Sequence, residues 1–552
     1  MHLRRPGPRA LVVAGLLVAA AVAGQLVPAA ALGRPGAAPT AAPTAAPTAA
    51  RPNIVFVLAD DLDLSEMSVM PHVQALLADQ GATFDQYYVS DSLCCPSRTT
   101  TLRGQYAHNT GVLNNGGSRG GFKRAYKNGI ESDTIATRLQ AAGYRTGLFG
   151  KYLNGYPKPV GRHYVPPGWT DWASPVRGNP YSEYDYTLNH NGRLEHHGNA
   201  PTDYGTDVYM GLADRFVKQS AAAGKPFFAY VPVFAPHEPA TPAPTDVGHF
   251  AGATAPRTPS YNQADVSKMP VLIENLPLLT PTEQAAVDQL YERRIESLQA
   301  VDRGVADLVD TLRATGQLDN TYFVFASDNG FHLGQHRLPA GKETPYDTDI
   351  HVPMVVRGPG IPAGTHVSTM ASNADLAPTF AAVAGAAKFA SWDGRSLLGL
   401  AQGDPQAAAT GRKVELVEHW ALTRGNKPAK TVAPGTTLEP SDPDQAARNQ
   451  GDVTEGSSTT VKGQPAPPSD KALYGRYVKI PDYFGIRTSR YLYVEYINGD
   501  RELYDVTTDP DEMHNLAGTR PALESALSAS LARLKACKAA GCRAADGVDP
   551  AP

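Results

Sequence analysis

Cysteine is scarce in this chain, 4 residues in 552, and no second cysteine or histidine pair with ligand spacing lies near Cys537 and Cys542, which argues against a zinc site there. Charge of one sign is missing as a block. The 50 lysines and arginines nearly balance the 54 acids, for a formal net charge of −4, and this argues against nucleic acid as the main partner. Internal repeats are absent. The apolar run at residues 10–23 is short for a spanning helix, which argues against a stable membrane anchor.

The N-terminus carries a targeting pattern instead. Arg4, Arg5 and Arg9 precede the apolar run, and Ala29-Ala30-Ala31 offers small residues for cleavage. Residues 1–31 therefore read as a signal peptide and the protein as secreted, with a retained anchor as the alternative. Arg4-Arg5 suggests twin-arginine export, although its flanks fit that route poorly. The Ala/Pro/Thr-rich residues 32–50 read as an extended linker. Cys537 and Cys542 lie close enough to close a small disulfide loop, in keeping with an oxidising destination. Cys95 is left as a small buried hydrophobe.

The remaining length suits one large domain, residues 51–425, and a smaller one, 471–545. Residues 426–470, rich in Pro, Gly, Ser, Thr and charge, show no periodicity and read as a disordered insertion. Short apolar runs at 54–59, 146–149, 226–234, 322–326 and 353–356 read as buried parallel strands. They alternate with amphipathic segments at 71–80, 134–142 (capped by Asp133), a long helix opened by Thr282-Glu283, and 373–385. The expected fold class is α/β: a large mixed, mostly parallel sheet flanked by helices. Strands at 474–480, 484–488 and 491–497, a turn at Asn498-Gly499 into 502–506, and a helix at 521–536 predict a small C-terminal antiparallel sheet plus helix.

The most informative stretch is Leu93-Cys94-Cys95-Pro96-Ser97-Arg98, running on to Gly104. Pro96 suits the first position of a helix and Gly104 its left-handed end. Cys94 then stands just before a helix N-terminus, where unpaired N–H groups and the dipole attract an anion. Arg98 adds a fixed positive fork. This Cys-x-Pro-Ser-Arg stretch resembles the signature of type I sulfatases of the alkaline-phosphatase-like superfamily. The resemblance runs through residues 51–425 as a sulfatase catalytic domain and resumes at Tyr474. It implies that a formylglycine-generating enzyme oxidises Cys94 to formylglycine (3-oxoalanine), the nucleophile.

Ligands in open α/β sheets bind beyond the carboxyl ends of the strands. Two of those ends carry oxygen donors, Asp60-Asp61 and Asp328-Asn329, which suit one hard cation. In the sulfatase pattern Asp60, Asp61, Cys94, Asp328 and Asn329 match the ligands of one Ca²⁺. Gly150-Lys151-Tyr152-Leu153-Asn154 resembles the N-acetylglucosamine-6-sulfatase group, with Lys151 a sulfate-binding residue. Many sulfatases have a histidine where Leu153 stands. Ala235-Pro236-His237-Glu238-Pro239 and Gly341-Lys342-Glu343 resemble segments that supply His237 and a second lysine, Lys342. Phe331-His332-Leu333-Gly334-Gln335-His336 also resembles that group. His332 and His336 are either substrate-recognising or loop residues, and His108 is expected to buttress the nucleophile helix.

The resemblance implies hydrolysis of sulfate monoesters, with 6-O-sulfated N-acetylglucosamine of glycosaminoglycans as the expected substrate. One hydroxyl of the hydrated aldehyde attacks sulfur and the other later expels sulfate. Arg98, Lys151 and Lys342 are expected to offset sulfate charge, and His237 or Lys342 to protonate the leaving oxygen. The competing readings are a broad arylsulfatase acting on aryl sulfates and a phosphonate or phosphate monoester hydrolase on the same fold. A glycan-binding protein without catalysis fits the complete set of site residues least.

Overall fold

The computed structural model describes residues 51–421, 466–468, 473 and 478–551. The expected signal peptide, the 32–50 linker and most of the 426–470 insertion lie outside the described residues. At the centre of the fold is the strand Asn53–Ala59, buried along its whole length. Its alternate residues serve two cores. Ile54, Phe56 and Leu58 enter one apolar cluster, and Val55, Val57 and Ala59 enter another on the opposite face. A sheet covered on both faces needs such a continuous apolar run.

The main sheet has ten strands, in the order Thr365–Val367, Ala82–Phe84, Met354–Arg357, Thr321–Ser327, Asn53–Ala59, Phe227–Pro232, Arg145–Phe149, Asp171–Gly178, Tyr186–His190, Arg193–His197. The five from Thr321–Ser327 to Asp171–Gly178 are parallel to one another. Met354–Arg357, expected as a parallel strand, runs antiparallel to Thr321–Ser327. The chain between them stays over the carboxyl ends and re-enters the sheet from that side. The hairpin Tyr186–His197 turns at Asn191-Gly192, both with positive φ, the backbone that a tight two-residue turn needs.

The longest helix, Pro281–Ala314, begins earlier than Thr282. Thr280 caps it, accepting from the Glu283 N–H while the Glu283 carboxylate accepts from the Thr280 N–H. Thr134, not Asp133, caps Ile135–Ala141. The expected helix at 71–80 is only one α turn, Pro71–Val73, followed by a π turn, Gln74–Ala78. Helix Leu376–Ala384 follows a 3₁₀ turn, Asn373–Asp375, and stops at Gly385 in the left-handed region.

The smaller antiparallel sheet has the order Val414–His419, Tyr483–Thr488, Tyr491–Tyr496, Arg501–Asp505. Its first strand comes from before the insertion, in place of the expected 474–480. Residues 478–480 are in no strand, and 474–477 lie outside the described residues. Helix Pro521–Lys535 covers this sheet, with Leu527, Leu531 and Leu534 against Ile486, Tyr493 and Leu503. Cys537 and Cys542 form a disulfide, and Cys95 is a free buried thiol. Among the described residues, no helix is long and apolar enough to cross a membrane.

Candidate active site

The helix Cys94–Arg103 starts at Cys94 itself, with Leu93 in an extended conformation ahead of it and Pro96 in the third position. Gly104 ends it at φ 66°, as the sequence predicts. The first turn is fastened from outside. The Cys95 N–H donates to Asn115 Oδ1 at 2.8 Å, and the Ser97 hydroxyl donates to the Asp328 carbonyl. Asn373 Nδ2 in turn donates to Ser97 Oγ at 3.0 Å.

Two strand ends meet this helix. The Asp60 N–H continues the ladder to the Ala235 carbonyl, and the Asp328 N–H to the Ala59 carbonyl. Asp61 has φ 67°, a left-handed backbone that non-glycine residues rarely adopt and that marks constraint at the turn. Its N–H donates to Asp328 Oδ1 at 3.1 Å, and Asn329 Nδ2 donates to Asp61 Oδ1 at 2.7 Å. Cys94 Sγ lies 3.6 Å from Asp60 Oδ1 and 3.9 Å from Asp61 Oδ1. The five residues expected as metal ligands are therefore brought together, all of them buried.

Three cations surround the carboxylates. Lys151 Nζ is 2.5 Å from Asp60 Oδ2, and Lys342 Nζ is 2.5 Å from Asp61 Oδ1 and 2.8 Å from Cys94 Sγ. Arg98 Nε donates to Asp328 Oδ2 at 2.7 Å, and its Nη2 lies 3.4 Å from Asp60 Oδ1. Burial would raise the Asp60 carboxyl, but Lys151, Arg98, His237 and Lys342 together hold it well below the usual carboxylate range. Burial likewise opposes Asp61, and Lys342 and His237 bring it down. Burial pushes Asp328 up, and Arg98 only partly offsets this. It also pushes the Cys94 thiol well above its ordinary value, despite the two lysines.

Lys151 depends on the glycine before it. Gly150 has φ 131°, and a Cβ there would sit 2.0 Å from the Pro232 carbonyl oxygen. His237 donates from Nδ1 to the Glu238 carbonyl at 2.8 Å, because a carbonyl only accepts; this turns Nε2 toward Asp61 Oδ2, 3.5 Å away. Burial lowers the His237 pKa, although Asp61 and Asp60 oppose it. Tyr181, which belongs to no motif and carried no local signal, packs between these groups. Its ring centroid is 4.9 Å from Lys151 Nζ and 4.6 Å from the His237 ring.

The oxygen set fits one divalent cation. Asp61 Oδ2 and Asn329 Oδ1 are buried and without hydrogen-bond partners, and beside them Asp60 and Asp328 supply further carboxylate oxygens. Hard cations take such oxygens.

Of the other histidines singled out in the sequence, His332 and His336 are buried and His108 is half-buried. His336 Nδ1 pairs with Gln263 Oε1 at 2.9 Å, and burial, followed by His332, pushes its pKa down to about 3. His332 Nδ1 is 3.0 Å from both oxygens of Asp349. His108 lies beyond the nucleophile helix, bound to Glu418 Oε2 at 2.8 Å and to the Cys537 carbonyl at 3.1 Å.

Two lysines and an arginine gathered with three carboxylates at one buried sulfur atom form a site suited to a bound cation and a tetrahedral oxyanion. The chain belongs to the sulfatase family: the family model described as Sulfatase matches residues 52–386. It is 38% identical over 353 residues to the putative extracellular sulfatase Sulf-1 homolog of Caenorhabditis elegans, a match covering 63% of this chain and 49% of that protein. It therefore spans about half that relative's length. Human N-acetylglucosamine-6-sulfatase is 33% identical over 511 residues, 91% of this chain and 87% of that one. A solved structure described as a complex with its substrate D-glucosamine-2-N,6-O-disulfate superimposes with a TM-score of 0.64. At 22% identity, over 88% of this chain and 97% of that one, this is a likeness of fold.

Proposed function

We propose that this sulfatase removes 6-O-sulfate from N-acetylglucosamine residues of glycosaminoglycans or related glycans, as a secreted enzyme carrying formylglycine at position 94 and one bound calcium ion. The observation that carries the reading is the convergence on Cys94 Sγ of Lys342 Nζ at 2.8 Å and of the Asp60 and Asp61 carboxylates within 3.9 Å. The substrate reading is supported by the Gly150–Asn154 segment and by relatives named N-acetylglucosamine-6-sulfatase.

A thiol held protonated by its burial is a poor nucleophile, which supports a modified side chain at this position. Formylglycine supplies, as its hydrate, a hydroxyl nucleophile, and the calcium ion supplies positive charge for the sulfate oxygens. Asp60, Asp61, Asp328 and Asn329 would hold the ion. Arg98 orients two of these carboxylates, at 2.7 Å from Asp328 and 3.4 Å from Asp60. Lys151 and Lys342 offset charge on the sulfate, and His237, with Nδ1 fixed on the Glu238 carbonyl, presents Nε2 to the ester.

The test is desulfation of defined sulfated sugars by protein recovered from the medium, with formylglycine at position 94 established by peptide mass spectrometry. The expected outcome is release of sulfate from 6-O-sulfated N-acetylglucosamine ahead of 2-O- or 4-O-sulfated sugars. Turnover of a phosphonate ester with every sulfated sugar left intact would defeat the reading, as would full activity with an unmodified Cys94.

A further inference from the structure

The loop carrying Lys342 is held by a buried pair that makes no contact with Cys94. Asp349 is fully buried, and its Oδ2 accepts from the Thr344 N–H at 2.9 Å and from the Thr344 hydroxyl at 2.6 Å. His332 Nδ1 lies 3.0 Å from both Asp349 oxygens. His332 also exchanges two backbone hydrogen bonds with Gly341, at 2.8 and 3.0 Å. Residues 341 and 344 are thus fixed on either side of Lys342, and Glu343 between them adopts φ 78°. The Asp349 carbonyl accepts from the Gly330 N–H at 2.8 Å, so the same residue is tied to the turn that carries Asp328 and Asn329.

We infer that His332 and Asp349 act as positioning residues, a buried dyad that sets the Lys342 ammonium against Cys94 and Asp61. The inference rests on the proposed role of Lys342 in sulfate ester cleavage. A long, flexible lysine side chain loses catalytic value when its backbone shifts, because about 1 Å of misplacement costs about 10²-fold in rate. The dyad fixes that backbone from two sides. The substrate pocket need not contain His332 for this to hold.

The experiment is a double-mutant cycle on the full chain, with activity counted per formylglycine-bearing molecule and melting temperature measured alongside. His332→Ala and Asp349→Asn should each lower kcat about tenfold or more with little change in KM. In a Lys342→Ala background neither should cost more than about a further twofold, since residues acting through one group do not add. Thr344→Val should behave like Asp349→Asn, and Thr344→Ser should restore the rate. That serine pair decides the matter if the dyad variants fail to fold. Losses that multiply fully in both backgrounds overturn the inference while leaving the role of Lys342 intact. A fully active Lys342→Ala enzyme overturns the role of Lys342 and the inference with it.

Discussion

The ammonium group of Lys342 stands 2.8 Å from the sulfur of Cys94 while also touching Asp61 Oδ1 at 2.5 Å. One side chain therefore joins the proposed nucleophile to a proposed metal ligand. Only a small part of Lys342 is exposed, and nearby carboxylates keep it charged against the cost of its burial. Lys342→Ala should lower kcat by about 10²-fold or more, the scale for losing a preorganised electrostatic group, with a smaller effect on KM. The variant should still fold, because Lys342 contacts site residues rather than the apolar core, with a lowered melting temperature from the buried Asp61 left without its nearest counter-charge. A rate within a few-fold of the parent would remove Lys342 from the chemistry.

Metal dependence should follow from Asp61. Its Oδ2 and Asn329 Oδ1 are buried oxygens without hydrogen-bond partners, and Asp60 and Asp328 lie beside them. Asp61→Asn should lower both bound divalent metal and turnover. Chelation of the parent should abolish activity, with Ca²⁺ restoring it best because an all-oxygen site with several carboxylates suits that ion. Elemental analysis of active, dialysed protein decides this. A metal-free preparation working at the normal rate would count against the site.

The strand ends were readable because Asp60-Asp61 and Asp328-Asn329, either of which alone could simply cap a turn or helix, occur in one chain with the motif at Cys94. The motif at Cys94 was readable through proline and glycine placement and through resemblance. Asp349 was not, since an aspartate in a Tyr-Asp-Thr-Asp turn looks like any solvated acid until His332 and Thr344 are seen against it. Val414–His419 was missed for a related reason. Glu415, Glu418 and His419 interrupt its apolar pattern, yet all are buried: Ser372, 43 residues away in the chain, meets Glu415, and His108, 310 residues away, meets Glu418. Partners contributed from distant segments carry no local signal. Asp171–Gly178 is interrupted by a proline and polar residues, and the edge strand Arg193–His197 is polar and largely exposed, so their pattern was too weak.

Stability should depend on pH through His108. Burial alone would lower its pKa, but Glu418 and the Cys537 carbonyl raise it to about 9. The unfolded value is about 6.5. Below that value both states hold the proton and the stabilisation is fully present; it is lost as pH rises toward about 9, where the folded histidine also deprotonates. The parent's denaturation midpoint should therefore fall toward that of His108→Ala as pH rises from 6.5 to about 9. A constant gap between the two proteins over this window would show that His108 does not titrate as described.

His237 should matter in proportion to the difficulty of expelling the leaving group. Its Nδ1 proton is committed to the Glu238 carbonyl, so the proton given to the ester is the second one of the imidazolium, on Nε2 3.5 Å from Asp61. Burial opposes that charged form, and Asp61 and Asp60 favour it. As sulfur–oxygen cleavage proceeds, negative charge moves from the sulfate to the departing oxygen, and a group that donates a proton there is needed most when that oxygen is basic. A sugar alkoxide is far more basic than a nitrophenolate. His237→Ala should accordingly cost the sugar sulfate at least about tenfold more in kcat than nitrophenyl sulfate, within the range of about 10²–10⁴ that general acid catalysis contributes. His237→Gln, which still offers a hydrogen bond but cannot deliver a proton, should resemble alanine on the sugar and the parent on the phenol. Equal losses on both substrates would exclude His237 as the acid and leave Lys342, at 2.8 Å from Cys94 Sγ, as the remaining proton donor beside the reacting atom.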